Sequence, residues 1–245
     1  MERKIYTITI SFLLLISAKI YGNDKIEIYN AYIGNDMVAW KKIIDRIQNQ
    51  ERKSNEVLLS LVNYQYGYIG WCIGNEKEKE AETYISLARN NLAVLESNNY
   101  NLSMVYTYYA ALYGYEIGLS IIRAPFIGPK STKYAENALK LDQGNPFAYL
   151  QLGNIQYYMP SLFGGSVNEA IRYFLQAKVL MEKNKEAILK DWNYLHLLTL
   201  IVQAYTDVED FRSAKAYCEI ILKIEPRFLW IKDELYPQVM HQFKN

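Results

Sequence analysis

The stretch from Asn145 to Ala177, NPFAYLQLGNIQYYMPSLFGGSVNEAIRYFLQA, constrains the fold more than any other part of the chain. Pro146 sits where a helix begins, since the first turn needs no backbone N–H from it. Pro160 predicts an end to that helix at Tyr158 or Met159. Ser166 and Glu169 have the spacing of a capping box for a second helix. Between them PSLFGGS supplies the turn. Two antiparallel helices follow from this grammar, with Gly153 leaving room where they cross.

The same spacing extends along the chain. Ala81 and Ala88, Ser131 and Ala138, and Ala170 and Ala177 each place small residues two turns apart on one helix face. The landmarks Ala81, Ser131, Ala170 and Ala214 are separated by 50, 39 and 44 residues, so a rigid period would miss them. Glu56 to Ile73 is apolar around most of its circumference, which places it between neighbouring helices. Six prolines and twelve glycines in 245 residues fall mostly between periodic segments, favouring long helices. Arg123 to Lys130, with Pro125 and Pro129, reads as an ordered loop after a helix over Leu102–Ile122. Arg227 to Phe243 reads as a terminal capping helix interrupted near Pro237.

Tyr149, Leu152, Gly153, Ala170, Phe174 and Ala177 resemble one tetratricopeptide repeat (TPR). Tyr205, Asp210, Phe211, Ala214 and Pro226 resemble a second, with Val202 where the motif has a small residue and Ile221 where it has alanine. The PSLFGGS turn is about five residues longer than in the usual unit of roughly 34 residues. The resemblance implies an all-α fold of stacked antiparallel helix pairs, a right-handed α-solenoid with capping helices. The expected organisation is a signal peptide over 1–22 and a single helical repeat domain over 23–245. Its clearest repeats are 145–178 and 192–226, with a capping helix over 227–243.

The N-terminus carries Arg3 and Lys4, an apolar run from Ile5 to Ile16, then small residues at Ser17, Ala18 and Gly22. That is the order of a cleaved export signal, and the run is shorter than the roughly 20 residues of a membrane span. Cys72 and Cys218, the two cysteines, lie far from the cleavage region, which argues against a lipid anchor. Each lies in an apolar helical pattern and reads as a free core residue. A periplasmic or secreted protein is expected. Signal, APFIGPKS and PSLFGGS together are similar to exported TPR proteins of Gram-negative bacteria, and more weakly to the periplasmic TPR component of tripartite ATP-independent transporters.

Removing 1–22 takes Arg3, Lys4, Lys19 and Glu2 from totals of 27 basic and 26 acidic residues, leaving 24 and 25. A net charge of −1 offers no attraction for nucleic acid. His196 and His241 are the only histidines, and no HExxH, CxxC, phosphate loop or GxSxG is present, so neither a metal, a cofactor nor catalytic residues are expected. Glu76, Glu78, Glu209 and Asp210 fall at helix starts, where carboxylates meet the helix dipole.

Binding is the function class that remains. In TPR folds the first helix of each pair lines the concave face, so alignment through Gly153 places Leu150, Asn154 and Tyr157 inward, with Thr199, Gln203 and Thr206 in the last unit. The groove candidates are Tyr66, Tyr115, Leu150, Asn154, Tyr157 and Gln203. Aromatic rings supply contact area and amides orient backbone-like groups; the plainer reading is that many of the 23 tyrosines fill interhelical space. The first expectation is an adaptor that binds a protein or peptide partner, such as a membrane or transporter subunit. The alternative is a small-ligand-binding accessory of a solute transporter with an enclosed aromatic pocket.

Overall fold

The computed structural model describes residues 23–244, and the apolar run and cleavage region of the expected signal lie outside them. The architecture is all-α: helix pairs stacked side by side. In chain order these are α1 (23–33) with α2 (Met37–Gln48), α3 (Asn55–Gly74) with α4 (Glu78–Ser97), and α5 (Leu102–Leu119) with α6 (Ala124–Leu141). They continue as α7 (Pro146–Tyr158) with α8 (Val167–Met181), and α9 (Trp192–Asp207) with α10 (Phe211–Ile224). A π-helical turn over Ile231–Leu235 leads into α11 (Tyr236–Lys244).

Capping follows from the local sequence. Side chains of Asp36, Ser54, Asn101, Asn145, Ser166, Asp191 and Asp210 each accept a hydrogen bond from a backbone N–H in the first turn they precede. Only half of the capping box at Ser166 forms. Ser166 Oγ accepts from the Glu169 N–H at 3.3 Å, but the Ser166 N–H goes to Gln156 O, and Glu169 turns to Arg172 instead. Asn35 and Asn99 take the left-handed conformation at tight turns, a backbone region that asparagine tolerates.

The small residues do what their spacing predicts. Ala81, Ala88, Ser131, Ala138, Ala170, Ala177 and Ala214 are all buried at helix crossings. Gly153 is the tightest of these approaches. A Cβ there would lie 2.4 Å from Phe174 Cε1, and Phe174 is itself fully buried.

Two segments differ from expectation. Arg123–Lys130 is not a loop: α5 stops at Leu119, Ile121–Arg123 makes one 3₁₀ turn, and α6 already begins at Ala124. Pro125 occupies the first turn of α6, where its missing N–H costs nothing. Pro129 lies inside the helix, but the residue before it is Gly128, whose missing Cβ relieves the usual clash. Burial of Ser131, Ala135 and Ala138 then holds the segment on its neighbours. At the other end, the irregularity comes before Pro237. The Tyr236 N–H reaches back five residues to Ile231 O, so the ladder is already widened where proline removes a donor.

The first helix pair also does more than cap one end. Tyr29 and Ile33 of α1 belong to the core cluster built by α7–α11, while Trp192 of α9 belongs to the cluster built by α2–α5. Tyr29 Oη donates to Glu225 Oε2 at 3.0 Å, and Lys25 Nζ donates to Ala187 O at 3.0 Å. Trp40 and Trp192 meet edge to face at 5.0 Å, and Tyr32 packs on Trp192, Trp40 and Phe228. Gly67 lets this happen, because a Cβ there would lie 2.6 Å from Trp40 and 2.7 Å from Trp192. The array therefore curls until its two ends share an aromatic core. Each such ring pair contributes about 0.5–1.5 kcal/mol beyond its burial.

Candidate functional site on the concave wall

Helices α3, α5 and α7 lie side by side along the inner wall, and α9 closes onto α3. The closure is polar at its centre. Asn63 Nδ2 donates to Tyr108 Oη and to Asn193 Oδ1, both at 2.8 Å. Asn63 Oδ1 accepts from Trp192 Nε1 at 3.0 Å and from Asn193 Nδ2 at 3.2 Å. One half-buried asparagine side chain thus bridges α3, α5 and α9 with every donor and acceptor engaged, the arrangement that makes a desolvated amide specific rather than costly.

This clasp divides the concave face. On the side of the N-terminal ends of the lining helices lies an open cleft of ≈ 430 Å³, walled by Leu59, Met104, Phe147 and Trp192, with Lys25 and Asp191 at its rim. On the other side stands a group of tyrosines and amides. Tyr66 Oη accepts from Gln151 Nε2 at 3.3 Å and from Asn154 Nδ2 at 3.5 Å. Tyr115 stacks on Tyr66 at 5.4 Å and donates through its hydroxyl to Tyr66 O at 3.0 Å. Tyr157 donates to Asp207 Oδ2 at 2.6 Å and meets Tyr158 edge to face at 4.9 Å.

Within this group Asn154 is exceptional. Its Nδ2 also donates to Gln151 Oε1 at 3.3 Å, yet its Oδ1 is buried and has no hydrogen-bond partner among the described residues. A buried carbonyl left unpaired costs about 1–3 kcal/mol. The phenols beside it are neutral: burial, foremost, raises the pKa of Tyr66, Tyr115 and Tyr157. For Tyr157 the Asp207 carboxylate adds to the effect.

Among the six residues expected on the groove, Tyr66, Tyr115 and Asn154 are brought into one hydrogen-bonded group. Tyr157 flanks it, tied to α9 through Asp207. Leu150 is fully buried, packed in the core with Ala170 and Phe174, so its side chain does not line a surface. Gln203 is half-buried on α9, outside the hydrogen-bonded group. The sequence reading did not single out Asn63, Gln151, Trp192 or Asn193. Asn63 had a signal: an amide in the middle of a helix apolar nearly all round needs a partner. His196, on the same wall, has its Nδ1 3.3 Å from Tyr32 Oη, and burial lowers its pKa to about 4. Among the described residues, no group of three or more His, Cys, Asp or Glu side chains is placed to hold a metal ion.

Comparison with known proteins extends the fold assignment. No protein-family model matches the chain, and no curated protein matches it. Among solved structures, the HusA haemophore from Porphyromonas gingivalis is similar with a TM-score of 0.60 and 18% identity, over 76% of this chain and 91% of HusA. TTC0263, a thermophilic TPR protein of Thermus thermophilus, is similar with a TM-score of 0.55 and 14% identity, over 93% of this chain and 97% of its own. At these identities the likeness concerns the fold: a TPR-like helical repeat array.

Proposed function

We propose that this chain is an exported, non-catalytic binding protein that takes a compact, partly apolar ligand against the tyrosine–amide wall around Asn154. A TPR-like array is a scaffold for recognition in general, and that supports binding over catalysis. The Asn63 clasp and α1 interrupt the concave face, which favours a compact ligand over a long extended peptide. The observation that carries the reading is the buried Asn154 Oδ1, without a hydrogen-bond partner among the described residues, beside Tyr66 and the Tyr115 ring stacked on it. A ligand that donates one hydrogen bond to this carbonyl and lays apolar surface on the rings recovers both contributions at once.

A protein or peptide partner is the second reading. The open cleft bounded by Leu59, Met104 and Phe147 supports it, since apolar walls with Lys25 and Asp191 at the rim suit the end of a chain. An accessory role beside a solute transporter is compatible with either ligand.

Haem is the first compound to test, because HusA, of similar fold, is a haemophore. Titration calorimetry with haem and with short aromatic peptide amides should compare the parent with Asn154→Leu and with Leu59→Ser. Loss of affinity in Asn154→Leu by about tenfold or more, with an unchanged melting temperature, is the expected result for one lost buried hydrogen bond. Equal affinity in parent and Asn154→Leu, with loss in Leu59→Ser, moves the site to the other cleft and overturns the first reading.

A further inference from the structure

The six most exposed large apolar side chains among the described residues lie on two connections between helices. Ile121, Ile122 and Phe126, on the connection from α5 into α6, and Tyr158, Leu162 and Phe163, on the connection from α7 to α8, are 68–87% exposed. Helices α5 and α7 run parallel, each leading into one of these connections, so the two tips emerge together. Tyr115, in the last turn of α5, and Tyr158 lie within electrostatic reach of one another.

The tips are held in place from within. The Phe163 and Gly165 N–H groups donate to Pro160 O, the Ser166 N–H donates to Gln156 O, and the Arg123 N–H donates to Ser120 O. With these backbone groups engaged, what the tips present outward is hydrocarbon. Their charge is one-sided as well. Residues 119–135 contain Arg123, Lys130 and Lys133, all exposed and none in an ion pair among the described residues, and no Asp or Glu; residues 157–168 contain no charged residue. The acids that flank these windows are Glu116, Glu136 and Glu169; Glu116 pairs with Arg89 and Glu169 with Arg172, so the exposed Glu136 on α6 is the acid nearest the three cations.

From this geometry we infer that this end of the molecule docks on an anionic lipid bilayer, with Ile122, Phe126, Leu162 and Phe163 entering the boundary between headgroups and acyl chains. Two protruding apolar tips with unpaired cations beside them match the two attractions that hold a protein in the interface, buried hydrocarbon and opposite charge. The mode is interfacial: among the described residues no helix is long and apolar enough to cross a membrane.

The test compares the parent with Ile122→Ser/Phe126→Ser/Leu162→Ser/Phe163→Ser, both purified in the same form so that the apolar run at 5–16 contributes equally. Co-sedimentation is measured with vesicles of phosphatidylethanolamine and phosphatidylglycerol, and with vesicles of phosphatidylcholine alone. Binding of the parent to the anionic vesicles, weakened by salt and by Arg123→Glu/Lys130→Glu, and reduced about tenfold or more in the serine variant, is the expected outcome. Circular dichroism should be the same for parent and variants, since every replaced side chain is exposed. Absence of binding, or equal binding by parent and serine variant, overturns the inference. So does parent self-association in sedimentation velocity that the serine variant abolishes while vesicle binding is unaffected, because the tips would then meet a second copy.

Discussion

Trp192 Nε1 donates to Asn63 Oδ1 at 3.0 Å across 129 residues of chain, and this bond joins the start of the last helix pair to the second. Trp192→Ala removes the bond together with ring contacts to Trp40, Tyr32 and Tyr66, and should destabilise by about 3–5 kcal/mol. Asn63→Ala should cost about 1–3 kcal/mol, since it strands the indole N–H and the Asn193 amide. Urea denaturation of both single variants and the double variant will show a double-mutant loss smaller than the sum; strict additivity would mean that the clasp is not a coupled unit.

Gly153 and Phe174 are in contact with no room for a methyl group. Gly153→Leu should destabilise by about 1–3 kcal/mol through overpacking. Phe174→Val in the same chain should recover part of that loss. An unchanged melting temperature in Gly153→Leu would contradict the crossing.

Acid should lower the stability of this protein over two pH ranges of different origin. Burial holds the His196 pKa near 4 against an ordinary 6.5, so the unfolded chain takes up the proton first. That contribution is complete above about pH 6.5 and is lost as pH falls through 4. The Arg227 guanidinium foremost, with Lys190 and Tyr29, holds Glu225 near 2 against 4.5. Its contribution, on the order of 3 kcal/mol, is complete above about pH 4.5 and is lost as pH falls through 2. His196→Gln should flatten the upper limb of stability against pH, and Glu225→Gln should lower stability at neutral pH and flatten the lower limb. If Glu225→Gln matches the parent at pH 7, the tie from α1 to the C-terminal helices contributes nothing.

Cys72 and Cys218 are fully buried, in different core clusters. Burial foremost pushes their thiol pKa values up to about 11 and about 12. Both thiols should resist an aromatic disulfide reagent in the native state and react in denaturant, at a rate that follows global unfolding. Rapid labelling of either in native buffer would show that the helix carrying it opens locally.

Much of the helical grammar was legible because it is local. Pro146, Pro160, Ser166 and Asp210 mark boundaries through their own backbone chemistry, and Ala81, Ser131, Ala170 and Ala214 mark crossings through their size. The segment 123–130 was not legible. Two prolines argue against a helix, and packing of Ser131, Ala135 and Ala138 against the adjacent helices α5 and α7 outweighs them. Of the proposed wall, the residue pattern indicated some members and not others. Alignment through Gly153 points Asn154 inward, but it also selects Leu150, whose side chain the closed wall buries in the core.

The residue pattern by itself determined an all-α chain of paired helices, with their caps and crossing points, because those depend on spacings of a few residues. Only the tertiary structure decided that α1 reaches the C-terminal core, that Asn63 fastens α3 to α9, and that the concave face is divided rather than open. The physical reason is curvature. Small rotations between successive helix pairs accumulate over the array, and whether the ends meet depends on their sum and on Gly67 admitting two tryptophans, which no local pattern encodes.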